Sequence, residues 1–243
     1  MDIPDAIEVF VHGFSYTRSQ TYPFQPEKIG SLWVMRDAPR KDNRYRSEEW
    51  VAFDFPADET DRFVREHARG RYSISVICSQ DDAQPPLRDR FKTLGYRLRT
   101  TEAFMVHPLE QTGESDSPAV IERVQTDEQA RQLAKASRSR ALPPENFLLT
   151  SPLRQYLARL EGEVVGWVQS ITVGKSTWCS NMHVSLPFRR RGIARAMLNQ
   201  MLRDDKAIGA QNSVLLATHA GSNLYPWVGY IQIGTLLSFM PVK

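Results

Sequence analysis

The residues best suited to chemistry lie in Val184-Ser-Leu-Pro-Phe-Arg-Arg-Arg-Gly-Ile-Ala194, with Arg195 next in the chain. An apolar strand here runs into a tight turn holding one glycine and one alanine, and an amphipathic helix opens behind it. The first turn of a helix exposes backbone N–H groups that have no internal partner, and the macrodipole adds partial positive charge there. Gly192 lets backbone approach a ligand closely, and Ala194 is too small to block it. Arg189, Arg190, Arg191 and Arg195 fall within seven residues. At a helix start they oppose the dipole, so an anion rather than helix stability explains them. The chemistry expected is a pyrophosphate cradle; a solvated basic turn is the plainer reading.

Two other phosphate patterns fail. Gly174-Lys-Ser-Thr177 has the ending of a P-loop, but Gln169 stands where the first glycine is required, and the strand-like Trp178 to Val184 follows instead of a helix. That segment reads as a hairpin turn. The dinucleotide fingerprint Gly-x-Gly-x-x-Gly is absent around Gly192.

The elements that must position the cradle follow from periodicity. Ala119 to Val124 alternates as a half-buried strand, and Thr126 or Asp127 can cap a helix from Glu128 to about Ser137. Gln155 to Leu160, Val164 to Thr172 and Trp178 to Val184 read as three strands joined by turns at Glu161-Gly162-Glu163 and Gly174-Lys175-Ser176. A helix runs from about Gly192 to Asp205, with Ile193, Met197, Leu198 and Met201 on one face. Ser213 to Thr218 is a strand, Gly221 to Gly229 a short helix or loop, and Tyr230 to Phe239 a last strand. Earlier in the chain, Leu32 to Arg36, Trp50 to Phe55, Tyr72 to Cys78 and Arg99 to Val106 read as strands, and Asp58 to Ala68 and Pro86 to Leu94 as helices. The polar stretch from Glu110 to Pro118 reads as a linker, leaving pieces 1–109 and 119–243, each long enough for its own core. The two pieces end alike: Phe91-Lys-Thr-Leu-Gly95-Tyr96 before one strand, Tyr225-Pro-Trp-Val-Gly229-Tyr230 before the other. An internal duplication is expected, with only the second copy carrying the arginine–glycine turn.

Arg189-x-x-Gly192-x-Ala194 resembles the Arg/Gln-x-x-Gly-x-Gly/Ala signature of the GNAT superfamily, the acyl-CoA-dependent N-acyltransferases. Leu224-Tyr225-Pro-Trp-Val-Gly229-Tyr230 is similar to that family's Leu-Tyr-x-x-x-Gly-Phe/Tyr segment and lies at the matching distance downstream. The resemblance covers residues 119 to 240 and extends weakly to 72 to 106. It implies a mixed α/β fold of α+β type, with a mostly antiparallel sheet flanked by helices and two related halves in tandem, the first degenerate. It also implies acetyl-CoA as co-substrate and no metal. By position, backbone at Val184, Ser185 and Leu186 would pair with the pantetheine arm. The amides of Arg190, Arg191, Gly192, Ile193, Ala194 and Arg195 would hold the pyrophosphate, with Arg189 at the first signature position. Tyr225 would stand where the family's general acid protonates the leaving thiolate. Two positions depart from the pattern: Pro187 comes one residue late after the strand valine, and Thr218 replaces the frequent Asn seven residues before the tyrosine.

Amine attack on a thioester needs a neutral amine, a polarised carbonyl and a proton for the leaving thiolate. A backbone N–H near Val184 can supply the oxyanion contact, and a phenol can supply the proton if it is close; Tyr225 as a core aromatic is the bland alternative. No carboxylate lies in the strand from Trp178 to Val184. The general base therefore stays open among His183, His219, Glu161 or Glu163 acting through water, and an amine that arrives neutral. Trp167, Trp178 and Trp227 either line an acceptor pocket or pack the sheet.

Composition narrows the classes. The 243 residues carry 31 Lys+Arg against 28 Asp+Glu, too even a balance to demand a nucleic-acid partner. No apolar run approaches the roughly 20 residues of a membrane helix, and Met-Asp-Ile-Pro-Asp at the start has no signal-peptide character. Cys78 and Cys179 are too far apart to form a metal-binding pair motif. The expectation is a cytoplasmic N-acetyltransferase acting on a small-molecule or protein amine, without nucleic acid or membrane, with a homodimer as one option for its assembly. A non-catalytic acyl-CoA-binding sensor is the second reading.

Overall fold

A computed structural model describes residues 1–40, 42–43, 45–79 and 84–242. Among them the chain forms five α-helices and eleven strands, in a mixed, mostly antiparallel arrangement. The chain resolves into two compact units. Their boundaries differ from a division at the 110–118 segment: one unit comprises residues 1–105, 216–222 and 232–243, and the other 106–215 and 223–231. The difference arises because the last strand of the chain hydrogen-bonds in the first unit.

In the first unit, α1 (Ile3–Ser19) precedes β1 (Phe24–Ile29), β2 (Leu32–Asp37) and β3 (Tyr45–Phe53). Then come α2 (Ala57–His67), β4 (Gly70–Cys78), α3 (Gln84–Thr93) and β5 (Tyr96–Pro108), which passes into the second unit at Val106. β1, β2 and β3 pair antiparallel, β3 and β4 parallel, and β4 antiparallel with β11 (Ile231–Pro241). Leu237 and Phe239 of β11 pack with Leu32, Trp50, Ile74 and Phe91 in one core, and Phe91 stacks on Phe239 at 4.3 Å. α1 and β1 were not legible as elements, although Asp2 accepts from the Asp5 N–H at 2.9 Å and Pro4 follows as helix starts favour.

The second unit holds β6 (Val120–Arg123), α4 (Asp127–Ser137), β7 (Leu153–Leu160), β8 (Glu163–Val173), β9 (Ser176–Val184), α5 (Ile193–Ala207) and the start of β10 (Asn212–Thr218). β6 to β9 form an antiparallel meander, and β9 then pairs parallel with β10. Glu161 and Gly162 adopt φ of 51° and 85°, the left-handed pair that a tight two-residue hairpin requires. Gly174-Lys175 is likewise the hairpin between β8 and β9, which disposes of the P-loop pattern.

α5 lays its predicted face, Ile193, Met197, Leu198 and Met201, on the sheet, all of them at most 1% exposed. Each such burial contributes roughly 1.5–3 kcal/mol. Gly166 permits the close packing: a Cβ there would lie 2.9 Å from both the His183 carbonyl oxygen and Met197 Cε. At its other end α5 is anchored by Asp205, which receives hydrogen bonds from Arg154 (2.9 Å), Ser170 (2.7 Å) and Thr177 (2.8 Å). The buried Arg154–Asp205 ion pair thus has its carboxylate oxygens bonded on both sides, the condition under which such a pair is tolerated.

The 110–118 segment is a strap along α5. Lys206 donates to the Glu110 carbonyl, Arg203 to the Gly113 carbonyl at 2.9 Å, and Asn199 to Ser115 at 3.2 Å. Its polar residues, which suggested a free linker, are the groups that bond to the helix.

The element order repeats. β3–α2–β4 and β9–α5–β10 are each strand, helix and parallel strand. Each is followed by a short helical piece, a left-handed glycine (Gly95, φ 88°; Gly229, φ 100°) and a long final strand. The first copy joins strand to helix through Asp54-Phe55-Pro56, with neither glycine nor arginine.

Candidate functional site

β9 carries the site's wall. Its ladder with β10 spans only Ser176–Trp178 against Asn212–Val214, the first three residues of each strand. Farther on, the pairing with β8 steps from Gln169↔Ser180 to Trp167↔His183, so β9 carries one extra residue. Asn181 in this bulge has φ 55°. Such a bulge re-aims the strand beyond it, and here that part is His183 and Val184.

A 3-10 turn, Leu186–Phe188, leads from β9 to the arginines, with Pro187 inside it. Arg190 (φ 64°) and Gly192 (φ 77°) are both left-handed, and Gly192 is the N-cap of α5 without any side-chain cap. Among the described residues no amide from Arg190 to Arg195 donates to a backbone carbonyl; the first bond of the helix is Ala196 N–H to the Gly192 carbonyl, at 3.0 Å. Six successive amides without a backbone acceptor, shaped by two left-handed residues at a helix N-terminus, are the arrangement that suits an anion. Arg189 turns back, its Nε donating to the Val184 carbonyl at 2.8 Å; Arg189, Arg190, Arg191 and Arg195 are all exposed, and Arg191 lies over the Phe188 ring at 5.7 Å. Two strand groups are therefore engaged: the Val184 carbonyl by Arg189, and the Ser185 N–H by the Val165 carbonyl at 2.8 Å. Leu186 is exposed. The strap ends here too, since a Cβ on Gly192 would lie 3.1 Å from the Asp116 carbonyl oxygen.

Tyr225 opens a second 3-10 turn, Tyr225–Val228, that packs against α5. Its side chain is buried, with the ring 5.6 Å from that of Tyr230. Among the described residues its hydroxyl has no hydrogen-bond partner. Burial, and secondarily the nearby Cys179, push its pKa upward, so the phenol keeps its proton at any physiological pH. Tyr230, by contrast, is tied down through a 2.8 Å hydrogen bond to Ser213.

The cradle and Tyr225 share the second unit, whereas Thr218 and His219, both exposed, fall in the 216–222 segment grouped with the first. His183 stacks on Trp167 at 4.3 Å, and burial, followed by Arg189, lowers its pKa, so its ring is neutral at physiological pH. Glu161 and Glu163 sit exposed at the β7–β8 hairpin. The three tryptophans part company: Trp178 is core, Trp167 is half-buried on His183, and Trp227 is 73% exposed. The Asn181 bulge and the strap carbonyl near Gly192 escaped sequence reasoning, because both depend on strand register or on packing between distant segments.

The second unit thus brings together a helix opened by free amides, a short parallel ladder and a buried, unpartnered phenol. The comparisons sharpen this. The Acetyltransferase (GNAT) family profile matches residues 120–225. No curated protein matches the chain. Among solved structures, the chain is similar to a GCN5-related N-acetyltransferase from Kribbella flavida, at 15% identity and TM-score 0.64, covering 100% of this chain and 97% of that one. It also resembles a GCN5-related N-acetyltransferase from Sphaerobacter thermophilus (16% identity, TM-score 0.55, 96% and 90% covered). A third is a GNAT-family acetyltransferase structure from Novosphingobium aromaticivorans DSM 12444 (13%, 0.54, 97% of each). At these identities the likeness concerns the fold, which extends over the whole chain.

Proposed function

We propose that the protein is an N-acetyltransferase that moves an acetyl group from acetyl-CoA to a primary amine of a small molecule or protein, by direct attack in a ternary complex. The observation that carries this reading is the run of unpartnered amides from Arg190 to Arg195 through left-handed Gly192. Its donor set suits a diphosphate, and the exposed arginines add charge at the rim. Bound there, acetyl-CoA supplies an activated acyl carbon and a thiolate leaving group.

This chain's residues do the rest. The opening past the short β9–β10 ladder leaves β9 backbone to align the donor's arm, through groups other than the committed Val184 carbonyl and Ser185 N–H. As the amine nitrogen bonds to the acyl carbon and the C–S bond breaks, Tyr225 gives its proton to the departing sulfur. The amine's surplus proton leaves to solvent or to neutral His183. Because burial raises the phenol's pKa, Tyr225 acts by hydrogen-bonding the developing thiolate and completing transfer late. The repeated element order supports descent of the first half from a copy of the same fold that lacks the cradle.

Thermal unfolding of the full chain with acetyl-CoA and with CoA, followed by an amine panel assayed for thiol release, tests the reading. Both ligands should raise Tm, by mass action on the folded state, and at least one primary amine should turn over. No shift with either ligand overturns the proposal. A shift without turnover on a broad panel reduces the protein to an acyl-CoA-binding sensor.

A further inference from the structure

His107 stands near the end of β5, 121 residues from the carbonyl it bonds, and its neighbours in sequence announce no chemistry. Within the second unit its Nε2 is 2.9 Å from the Val228 carbonyl oxygen. A carbonyl only accepts, so Nε2 carries the proton and donates. Burial holds the ring's pKa below its ordinary value and the imidazole neutral, while Nδ1 is buried without a partner among the described residues. The ring meets Tyr230 edge-on at 5.2 Å, and Tyr230 in turn meets Tyr225 at 5.6 Å. Gly229 leaves the space that the imidazole fills, for a Cβ there would come within 2.8 Å of Nε2.

We infer that His107 is a positioning residue for acyl transfer: by donating to the Val228 carbonyl and filling the space over Gly229, it fixes the turn that begins with Tyr225. The inference rests on the reading of Tyr225 as proton donor. A four-residue 3-10 turn has little stability of its own, and its final carbonyls need outside donors. Within the turn, the Gly229 N–H reaches the Pro226 carbonyl at 3.2 Å and the Tyr230 N–H reaches the Tyr225 carbonyl at 3.1 Å. The phenol tip has no anchor among the described residues, so its direction follows from this backbone and from the ring contact with Tyr230. A shift of the turn moves the proton away from the sulfur while leaving the diphosphate cradle intact.

A double-mutant cycle on the full chain tests this, with His107→Phe, Tyr225→Phe, the pair together, and His107→Gln, which keeps an N–H donor. The readouts are CoA affinity, kcat with acetyl-CoA and the fastest amine of the panel, and the pKa of the bound CoA thiol followed by thiolate absorbance. The thiol titration needs no acceptor. His107→Phe should lower kcat about 10- to 100-fold, the scale of an ångström-level misplacement, with unchanged CoA affinity and a raised bound-thiol pKa. It should add nothing once Tyr225 is Phe, and His107→Gln should restore most of the loss. Gly229→Ala, which presses a Cβ against the same nitrogen, should give the same signature and serves if His107→Phe does not fold. Parental kcat and thiol pKa in both His107→Phe and Gly229→Ala overturn the inference, as do multiplicative effects with Tyr225→Phe. Parental values in Tyr225→Phe itself instead overturn the reading of the phenol as proton donor.

Discussion

Gly192→Glu is expected to abolish CoA binding, with a loss of at least about 100-fold in affinity. Gly192 sits at φ 77°, where a side chain costs roughly 1–2 kcal/mol. A new Cβ there also meets the Asp116 carbonyl oxygen at 3.1 Å. The added carboxylate then faces a diphosphate across a few ångströms. Two like charges 4 Å apart cost about 4 kcal/mol near a protein surface, and about 1.4 kcal/mol is a factor of ten in affinity. Gly192→Ala separates the two effects, since it keeps the backbone strain and omits the charge; its loss should be much the smaller. Affinity for CoA, read by calorimetry alongside the far-ultraviolet spectrum of each variant, checks the prediction. Parental affinity in a folded Gly192→Glu protein removes the cradle from the account.

Tyr225→Phe is expected to lower kcat about 100-fold while CoA affinity stays within a few-fold, because general acid catalysis typically contributes 10²–10⁴. The phenol hydroxyl bonds to nothing among the described residues, so its loss leaves no orphaned partner and the fold should tolerate Phe. The unequal effect on kcat and on binding is the signature of a group that acts in the transition state. Because burial raises the phenol's pKa above its ordinary 10.0, ionisation of Tyr225 should produce no alkaline fall in rate below that pH. Steady-state rates with the fastest amine of the panel test both statements. Equal rates for variant and parent would leave Tyr225 as a packing residue.

The sequence carried the second unit more clearly than the first. Glu161-Gly162 and Gly174-Lys175 are local turn signals, and the apolar face of α5 is a local period, so neither needs knowledge of distant residues. β11 shows the limit. Its alternation marks it as a strand, but nothing in Ile231–Pro241 says that its partner is β4 instead of a neighbour in its own half. The 110–118 segment misled for a related reason: its polarity suits solvent and helix-bound hydrogen bonds equally well, and only packing distinguishes them. α1 escaped because its buried face includes Ala6, Gly13 and Ser15 among larger residues, which blunts the apolar period. At the site, the arginine–glycine turn and Tyr225 were visible as spaced residue types. The bulge at Asn181 follows from register, and His107 from a contact between segments far apart in the chain, so neither leaves a mark on its own neighbourhood.

The diphosphate cradle at the start of α5 is most directly tested by calorimetric titration of the full chain with CoA and with pantetheine, which has the thiol arm but no diphosphate. Strong binding of CoA and weak or undetectable binding of pantetheine is the result expected from six free amides and four exposed arginines at one helix start. Equal affinity for the two, or no binding of CoA, would contradict it.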